Sequence, residues 1–443
     1  MSSGSVSPRD DVQRYQLANG LTVLLRATAG HAPVASLWVW YRVGSRVERR
    51  PRTGLTHWVE HMLFRGTDRF PGSSVHKMVA RLGGVRNGMT SNDYTVYYET
   101  LPAAELDTAL RIEADRMTNA CFDPGDVEAE RTVILVERAD RENSSAFRLR
   151  EQVMAAAFPD HGYGHPVIGY RDDLQRITRD ELWQHYRQNY GPDNAVVVVA
   201  GSFHRDMLMA RIEQLFGPAQ PRRIKGEPES ALGRTAGPSR GQPATVRLSG
   251  PEPTAYVQLL FPAVRALDDD YFPLLVLDSI LGGAASLGNR GGGAGFRTSR
   301  LYRNVVQTEL AASAGSSMRP TADPYLFIVG ATVRRGIEQE QVLDALWTEI
   351  ETARQVAPTE TEMQRAQKQT RAQFIFGSER ASSQGYWLGF SEVVADLPWL
   401  LEFPNRVAAV TADEVQRVAN QYLRRETAIV GLYVPDEIPS APA

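Results

Sequence analysis

The pattern of apolar and polar positions predicts a mixture of short strands and amphipathic helices. Near the start, RYQLANGLTVLL predicts two strands joined at Asn19-Gly20 by a type I′ hairpin turn, and the apolar segment 34–43 predicts a further strand. Residues 93–101 are rich in strand-forming side chains, whereas 103–119 and 128–143 show helical periodicity. The first half of the chain is therefore predicted to be of mixed α and β structure.

The pattern that ends the first half returns at the end of the chain. Thr178-Arg179-Asp180-Glu181 forms a capping box that predicts a helix to Tyr190, and the apolar strand 194–200 follows. Thr411-Ala412-Asp413-Glu414 predicts a second capped helix, to Tyr422, and a strand follows at 428–434. This agreement, about half a chain apart, indicates an internal duplication.

A segment rich in proline, glycine and arginine separates the two halves at residues 218–242 and predicts a surface linker. A chain of 443 residues is too long for one ordinary core, so two or three domains are expected. We therefore expect an N-terminal domain at 1–217 and a homologous C-terminal domain at 243–443. Both are predicted to be of the α+β class, with mixed sheets and packed helices.

Composition limits the classes of function. Hydrophobic residues make up 42% of the chain and charged residues 23%, which is typical of a soluble globular protein. The net charge of -3 predicts binding to neither nucleic acid nor membrane. The single cysteine, Cys121, excludes an intramolecular disulfide. No secretion signal or spanning segment is visible, so we expect a cytoplasmic protein, or a periplasmic one if a leader has been removed.

The strongest chemical signal is His57-Trp58-Val59-Glu60-His61, on a predicted helix. His57 and His61 are four residues apart and share a helix face, so both imidazoles can reach one metal ion. Glu60 precedes His61 directly and can act as a general base toward a water at the metal. A hydrolytic zinc site needs three protein ligands, so one more ligand is expected from elsewhere in the chain.

The helix predicted at 128–143 offers candidates for that ligand. Glu130 and Glu137 are seven residues apart, about two helical turns, so both point the same way. One carboxylate can bind the ion while the other orients a ligating histidine, and the residues alone leave open which does which. The run Val133-Ile134-Leu135-Val136 predicts an apolar interior for this helix. That run and the zinc motif disfavour the alternative of two solvated surface charges.

Two segments resemble a known family. GLTHWVEHMLFRGT, from Gly54, is similar to the G-x-x-H-x-x-E-H-x-x-F-x-G-T signature of the inverted-motif zinc metallopeptidases, which include pitrilysin, insulin-degrading enzyme and mitochondrial processing peptidase. ERTVILVE, from Glu130, resembles the family's E-R-x-V-x-x-x-E helix. The resemblance covers nearly the whole chain and implies a duplicated half-clamshell. It also implies one zinc ion per chain, and assigns the site as follows: ligands His57, His61 and Glu137, base Glu60, and Glu130 as the carboxylate behind a ligand.

The segment GGVRNGMTS, at 83–91, precedes a predicted strand and resembles the family's G-x-x-N-A-x-T-S segment. The resemblance implies that a peptide substrate pairs with a sheet edge here through main-chain hydrogen bonds. The implied substrate contacts are Asn87, Gly88, Met89 and Thr90. Gly88 replaces the usual alanine, a departure that leaves the backbone freer. Without the resemblance, an ordinary loop and strand would explain the segment equally well.

The glycine-rich segment 282–295, GGAASLGNRGGGAG, lacks the lysine of a phosphate-binding loop. It resembles a glycine-rich loop in a noncatalytic subunit of the family and is interpreted as a mobile lid or substrate-sensing loop. A connection without function is the alternative. His161 and His165, in HGYGHP, are predicted to serve loop packing rather than metal binding.

The chain departs from its relatives in the second half. Active single-chain relatives carry an Arg and a Tyr seven residues apart after an S-R-L segment, where they would stabilise an oxyanion. In SRLYRNVVQTELAA, from Ser299, these places fall on Val305 or Val306 and on Ala312. The chain thus resembles a half-enzyme whose homologous partner supplies the Arg–Tyr pair in a heterodimer, although a homodimer also fits.

The expected function is that of a zinc endopeptidase subunit that hydrolyses peptides or unfolded segments within a closed chamber. The alternative is a noncatalytic structural or assembly subunit of the same fold.

Overall fold

The computed structural model describes residues 12–28, 33–222, 237–238, 244–284 and 297–436. Most of the predicted linker at 218–242 and most of the glycine-rich segment 282–295 lie outside the described residues. The predictions for these two segments therefore stay predictions. In the ranges that are described, no helix combines enough length with enough apolar character to cross a membrane.

The described residues form eleven strands and fourteen α-helices. The strands are β1 Val12–Gln16, β2 Thr22–Ala27, β3 Val34–Tyr41, β4 Val85–Thr90, β5 Thr95–Pro102, β6 Ala195–Gly201, β7 Ala244–Gly250, β8 Tyr256–Pro262, β9 Ala311–Met318, β10 Leu326–Val333 and β11 Ile429–Pro435. The helices are α1 Leu55–Arg65, α2 Gly72–Arg81, α3 Leu106–Asn119, α4 Pro124–Glu142, α5 Ser145–Ala157, α6 Arg171–Arg176, α7 Arg179–Asn189, α8 Arg205–Phe216, α9 Tyr271–Leu281, α10 Gln339–Gln355, α11 Glu360–Phe376, α12 Ala381–Val394, α13 Leu397–Ala409 and α14 Ala412–Tyr422.

The chain divides into two compact units, and each unit includes one segment from the other half of the sequence. Unit 1 contains Met1–Ala139, His165–Arg234 and Ser378–Leu401, and unit 2 contains Asp140–Gly164, Thr235–Gly377 and Glu402–Ala443. Helix α12 therefore belongs to unit 1, although it comes late in the sequence. Helix α5, from the first half, belongs to unit 2.

The sheet of unit 1 has six strands in the order β1-β2-β6-β3-β5-β4. Strands β2 and β6 are parallel, and all other neighbours are antiparallel. Strand β6, AVVVVAG, is buried along its whole length, as expected for an apolar strand that is covered on both faces. Strand β4 lies at the edge of the sheet.

The sheet of unit 2 has five strands in the order β7-β11-β8-β10-β9, with β7 and β11 parallel. Order and orientation match the five strands β2-β6-β3-β5-β4 of unit 1. Both predicted capping boxes, at Thr178 and Thr411, are present with reciprocal hydrogen bonds. The predicted α+β class and the duplication are therefore confirmed at the level of topology.

Helix α12 packs closely on the sheet of unit 1 through two glycines. A Cβ atom at Gly385 would lie 2.4 Å from the ring of Trp38, and one at Gly389 would lie 2.0 Å from the ring of Trp40. Both tryptophans belong to β3, and their rings stack with centroids 5.9 Å apart. The helix therefore rests directly on an aromatic face of the sheet.

The predicted two-residue turn at Asn19-Gly20 is wrong, although the hairpin itself is present. The backbone N–H of Leu17 donates to the carbonyl of Leu21, and that of Gly20 donates to the carbonyl of Leu17, so the connection has three residues, 18–20. The side-chain amide of Asn19 donates hydrogen bonds to the carbonyl of Phe216, the last residue of α8, and to that of Ala219 just beyond it. Three-residue connections that place a glycine at positive φ are common in hairpins, and Gly20 has a φ of 90°.

Candidate metal centre

Helix α1 carries the H-x-x-E-H motif and is anchored in the core of unit 1. The side chains of Trp58, Val59 and Met62 are completely buried. The helix ends at Gly66, whose φ of 88° favours glycine, so the predicted helix end is confirmed. His57 and His61 are thus presented by a firmly packed helix.

The two histidines meet a carboxylate from α4. Nε2 of His57 lies 3.7 Å from Oε2 of Glu137, and Nε2 of His61 lies 3.8 Å from the same oxygen. The ligand atoms of all three residues fall within 4.8 Å of one another. Among the residues that the structure describes, no other group of three or more His, Cys, Asp or Glu side chains converges in this way.

This donor set fits zinc. Catalytic zinc sites combine three nitrogen and oxygen ligands of this kind, and ligand atoms about 2.0–2.1 Å from one tetrahedral ion lie roughly 3.3–3.4 Å apart. The two separations from Glu137 are 3.7 and 3.8 Å, and all three ligand atoms lie within 4.8 Å of one another. Small side-chain rotations would therefore bring His57, His61 and Glu137 to coordination distance of one ion.

Glu130 supports His61 from the side opposite the ligand atom. Its Oε2 lies 2.9 Å from Nδ1 of His61, and its Oε1 accepts a hydrogen bond from Nε of Arg65 over 2.7 Å. The hydrogen bond with His61 is the main cause that lowers the pKa of Glu130, against partial burial, and Arg65 adds to the effect. An ionised Glu130 keeps the proton of His61 on Nδ1 and leaves Nε2 for a metal. Sequence reasoning missed Arg65, although its place four residues after His61 puts both on one helix face.

Glu60 is buried beside the histidines and is hydrogen-bonded to the edge strand. The hydroxyl of Thr90 donates to Oε2 of Glu60 over 2.5 Å. Burial raises the pKa of Glu60 and the charge of Glu137 adds to the rise, while Thr90 and His61 act against it. A raised pKa makes the carboxylate a better proton acceptor, as a general base requires. Sequence reasoning placed Thr90 near the substrate but missed its contact with the base.

Negative charge surrounds His61. Burial would lower the pKa of His61, but the hydrogen bond with Glu130 and the charges of Glu60, Glu130 and Glu137 outweigh it and raise the pKa. Carboxylates that favour a positively charged imidazole also favour a divalent cation in the same place. The electrostatics of the cluster therefore agree with its geometry.

The segment 83–91, for which a sheet edge was expected and an ordinary loop was the alternative, contains the edge strand β4. Within the described residues, β4 pairs with β5 alone, so its other edge is open. Thr90 and Gly88 face α1, where a Cβ at Gly88 would lie 2.8 Å from the ring of Phe64. Asn87 and Met89 alternate with them and lie on the opposite face of the strand. The side chain of Asn87 is exposed and accepts a hydrogen bond from the backbone N–H of Gly88.

The predicted apolar interior at 133–136 of α4 is wrong for two of its four residues. Val133 is 48% exposed and Val136 is 56% exposed, whereas Ile134 is completely buried. Consecutive residues of a helix point in different directions, so an uninterrupted apolar run cannot lie on one face. The buried face of α4 instead contains Glu130 and Ile134, four residues apart.

The two histidines of the HGYGHP segment take part in local packing. Nε2 of His161 lies 3.2 Å from Oδ2 of Asp323, within unit 2. Nδ1 of His165 lies 3.2 Å from the carbonyl oxygen of Pro166, within unit 1. Neither histidine belongs to a metal-type cluster in the described part of the chain.

Comparison with known proteins identifies the family. A sequence profile described as "Insulinase (Peptidase family M16)" matches residues 23–171, and one described as "Peptidase M16 inactive domain" matches residues 176–370. An uncharacterized zinc protease of Mycobacterium bovis is 30% identical over 429 residues, which cover 96% of this chain and 92% of that protein. The chain belongs to peptidase family M16.

Other relatives of the M16 chain agree with this assignment. A protein named mitochondrial-processing peptidase subunit beta, from Lentinula edodes, is 29% identical over 418 residues, covering 92% of this chain and 86% of that protein. A solved structure of a protease from Helicobacter pylori has a TM-score of 0.88 at 24% identity and covers 96% of this chain and 99% of that one. The structural likeness shows the same fold.

Unit 2 of the M16 chain has hydrocarbon side chains at the places where sequence reasoning expected an Arg–Tyr pair. Val305 is completely buried, Val306 is partly exposed, and Ala312 is exposed on β9. Arg300, the arginine of the S-R-L segment, is already engaged, because its Nε and Nη2 pair with the two carboxylate oxygens of Glu362 at 2.8 and 2.9 Å. None of these residues is therefore ready to donate a hydrogen bond to an oxyanion.

Proposed function

We propose that this chain is a zinc-dependent endopeptidase subunit that binds one zinc ion and hydrolyses peptides or unfolded segments. The observation that carries the proposal is the convergence of His57, His61 and Glu137, with Glu60 buried beside them. Membership of family M16 and relatives named zinc proteases support it. Ligand sets of two histidines and one glutamate are typical of zinc peptidases.

The residues of the chain would divide the work as follows. His57, His61 and Glu137 would hold zinc, which would supply Lewis-acid activation of water and of the scissile carbonyl. Glu60 would take a proton from the attacking water and pass it to the leaving nitrogen. Thr90 would hold the carboxylate of Glu60 in place, and Glu130 would fix the proton of His61 on Nδ1.

The open edge of β4 would hold the substrate in an extended conformation. An added strand forms main-chain hydrogen bonds that do not depend on the substrate's sequence. We assign substrate contacts to Asn87, Gly88, Met89 and Thr90, with the backbone of the strand as the main donor and acceptor. Such a site suits short peptides or unfolded segments, as does the closed chamber that the family resemblance implies.

A homologous partner subunit would complete the active site. Val305 or Val306, and Ala312, occupy the positions at which the resemblance implies an arginine and a tyrosine, and none of these side chains can stabilise an oxyanion. The name of the Lentinula edodes relative describes that protein as a subunit. We therefore propose a heterodimer in which the partner supplies these two side chains, with a homodimer as the alternative assembly.

Metal content gives the first test. The purified wild-type chain should contain about one zinc ion, and His61→Ala should lose it because two ligands seldom hold a hydrolytic zinc. Glu60→Gln should keep the zinc, and His76→Ala, which alters an exposed histidine on α2, serves as the matched control. A folded, zinc-free wild-type chain under zinc-replete conditions would contradict the proposal and favour the noncatalytic alternative.

Peptide hydrolysis gives the second test. The chain with its homologous partner should cleave an unfolded substrate, and Glu60→Gln should lower kcat by about 10²–10⁴-fold. The chain alone should be nearly inactive, while a double variant that combines Ala312→Tyr with Val305→Arg or with Val306→Arg should gain activity without a partner. Full activity of the wild-type chain alone would overturn the heterodimer but not the zinc site.

A further inference from the structure

Helix α1 begins at a residue that cannot cap it. Its N-cap residue is Gly54, which has no side chain and adopts a φ of 92°. A Cβ atom at this position would lie 2.6 Å from the carbonyl oxygen of Ile168 and 2.8 Å from Cδ2 of Leu174. The serine, threonine or aspartate that usually accepts the first free N–H groups of a helix therefore has no room here.

Glu48 replaces the missing cap from six residues upstream. Its Oε2 accepts a hydrogen bond from the backbone N–H of Gly54 over 2.6 Å, and its Oε1 accepts one from Thr56 over 2.6 Å. Glu48 is only 4% exposed, so water is not an alternative acceptor for these groups. A carboxylate at the positive end of a helix is also favoured by the helix dipole.

The capped turn leads directly into the first metal ligand, because Thr56 precedes His57. The side chain of Thr56 is itself held, with Oγ1 3.1 Å from Nε2 of His185. Without Glu48, two buried N–H groups would lack an acceptor, and the first turn of the helix would loosen to reach water. His57 lies in that turn, whereas His61 lies one turn further into the helix.

We propose that Glu48 is a positioning residue for His57, which it holds at coordination distance by fixing the first turn of α1. The carboxylate of Glu48 holds backbone N–H groups ahead of His57 and is not one of the three proposed ligands. The inference rests on the proposed zinc site and adds a residue that neither sequence motif includes. It predicts that Glu48 affects the affinity and geometry of the bound metal as well as the stability of the fold.

The test compares metal binding in capping variants of two helices. Glu48→Gln keeps the size of the side chain but offers one acceptor oxygen, and Glu48→Ala offers none. The matched control is Thr411→Ala, which removes the N-terminal cap of α14 in unit 2. Zinc affinity is measured by competition with a chromophoric chelator, and ligand geometry by the visible absorption spectrum of the Co²⁺-loaded chain.

Glu48→Ala should weaken zinc binding by about tenfold and should change the Co²⁺ spectrum. This is the lower end of the roughly 10–100-fold loss of affinity seen when a residue that orients a metal ligand is replaced. Glu48→Gln should show a smaller change in the same direction, while Thr411→Ala should leave both readouts at the wild-type values. Folded Glu48 variants with wild-type affinity and spectrum would overturn the proposal. If neither Glu48 variant folds, the residue belongs to the fold rather than to the site, and the proposal fails as well. A wild-type chain that binds no zinc would instead refute the proposed function.

Discussion

The hydroxyl of Thr90 donates a hydrogen bond to Oε2 of Glu60 over 2.5 Å and so joins the edge strand β4 to the buried carboxylate of α1. The contact links the position of the proposed general base to the position of the proposed substrate strand. A strand that moved relative to α1 would therefore carry Glu60 out of alignment with His57, His61 and Glu137.

Replacing Thr90 with valine should lower activity without removing the metal. Valine has nearly the shape of threonine but no hydroxyl, and a hydrogen bond to a charged group contributes roughly 1.5–3 kcal/mol. We expect kcat to fall about tenfold or more in the active assembly, with unchanged zinc content. Thr90→Ser keeps the donor and should retain most of the activity. A Thr90→Val variant with wild-type kcat would show that Glu60 needs no such support.

Replacing Glu130 with glutamine should weaken zinc binding by about 10–100-fold, because the residue fixes the tautomer of His61. The hydrogen bond with His61 is the main cause that lowers the pKa of Glu130, so the contact favours the charged carboxylate, which glutamine cannot supply. Chelator competition measures the affinity. Asp140→Asn, at an exposed position on the same helix, is the matched control and should have no effect. If both variants bind zinc with equal affinity, Glu130 does not support the metal ligand His61.

Replacing Gly88 with alanine should destabilise unit 1 by about 1–3 kcal/mol, the usual range for added volume in a packed site. The added Cβ would lie 2.8 Å from the ring of Phe64. That ring has little freedom, since the guanidinium of Arg86 lies over it at 5.0 Å and the ring of Tyr97 lies 5.6 Å away. Chemical unfolding measures the change. Glycine is therefore favoured at position 88 by close packing against Phe64 as well as by the backbone freedom inferred from the sequence.

Two further variants separate that clash from a general effect of alanine in a strand. Gly315→Ala lies on β9, the unit 2 strand that matches β4 in topology, where a Cβ would meet no atom within 4 Å. It should be neutral or slightly stabilising. Phe64→Leu makes room beside Gly88. The loss in free energy of unfolding in the double variant should therefore be smaller than the sum of the losses in the two single variants. Simple additivity would argue against the clash.

Local signals in the sequence predicted the parts of the site that lie on one element. The spacing of His57 and His61 is a property of one helix, and Gly66 ends that helix by its own backbone conformation. Glu130 and Glu137 lie on one helix as well, so the sequence could place them together but could not say which one lies near the Nε2 atoms of both histidines.

The contacts that join separate elements were beyond the sequence. The bond between Thr90 and Glu60 depends on how β4 lies against α1, and the cap by Glu48 depends on the shape of the loop before α1. Exchange of α5 and α12 between the units likewise depends on tertiary packing rather than on local preference. Nothing in the local pattern of these segments specifies their partners.

A buried aspartate in unit 2 should make that unit less stable as pH rises. Asp278, on α9, accepts hydrogen bonds from the hydroxyl of Ser316 and the backbone N–H of Met318. Burial nevertheless raises the pKa of Asp278 to about 7, well above the value near 3.9 for an unfolded chain. The folded state thus holds a proton that the unfolded state has lost between about pH 4 and 7.

The sign of the effect follows from this proton difference. The free energy of unfolding should fall as pH rises from about 4 to 7, by at most about 1.4 kcal/mol per pH unit for this one group, and the loss is complete above about pH 7. Asp278→Asn mimics the protonated form, so it should remove this dependence and be more stable than the wild type at pH 8.

Asp270, next to the start of α9, gives a contrast of opposite sign. Its hydrogen bond with Arg417 is the main cause that lowers the pKa of Asp270, so its contribution to stability is present at neutral pH and lost in acid. Asp270→Asn should therefore be less stable than the wild type at pH 7, where Asp278→Asn is expected to gain stability. Urea unfolding of the wild type and both variants at pH 3, 5, 7 and 8 measures the difference, because the contribution of Asp270 is lost only below about pH 4. If Asp278→Asn has the same pH dependence as the wild type, the carboxylate of Asp278 is already charged in the folded protein at pH 5.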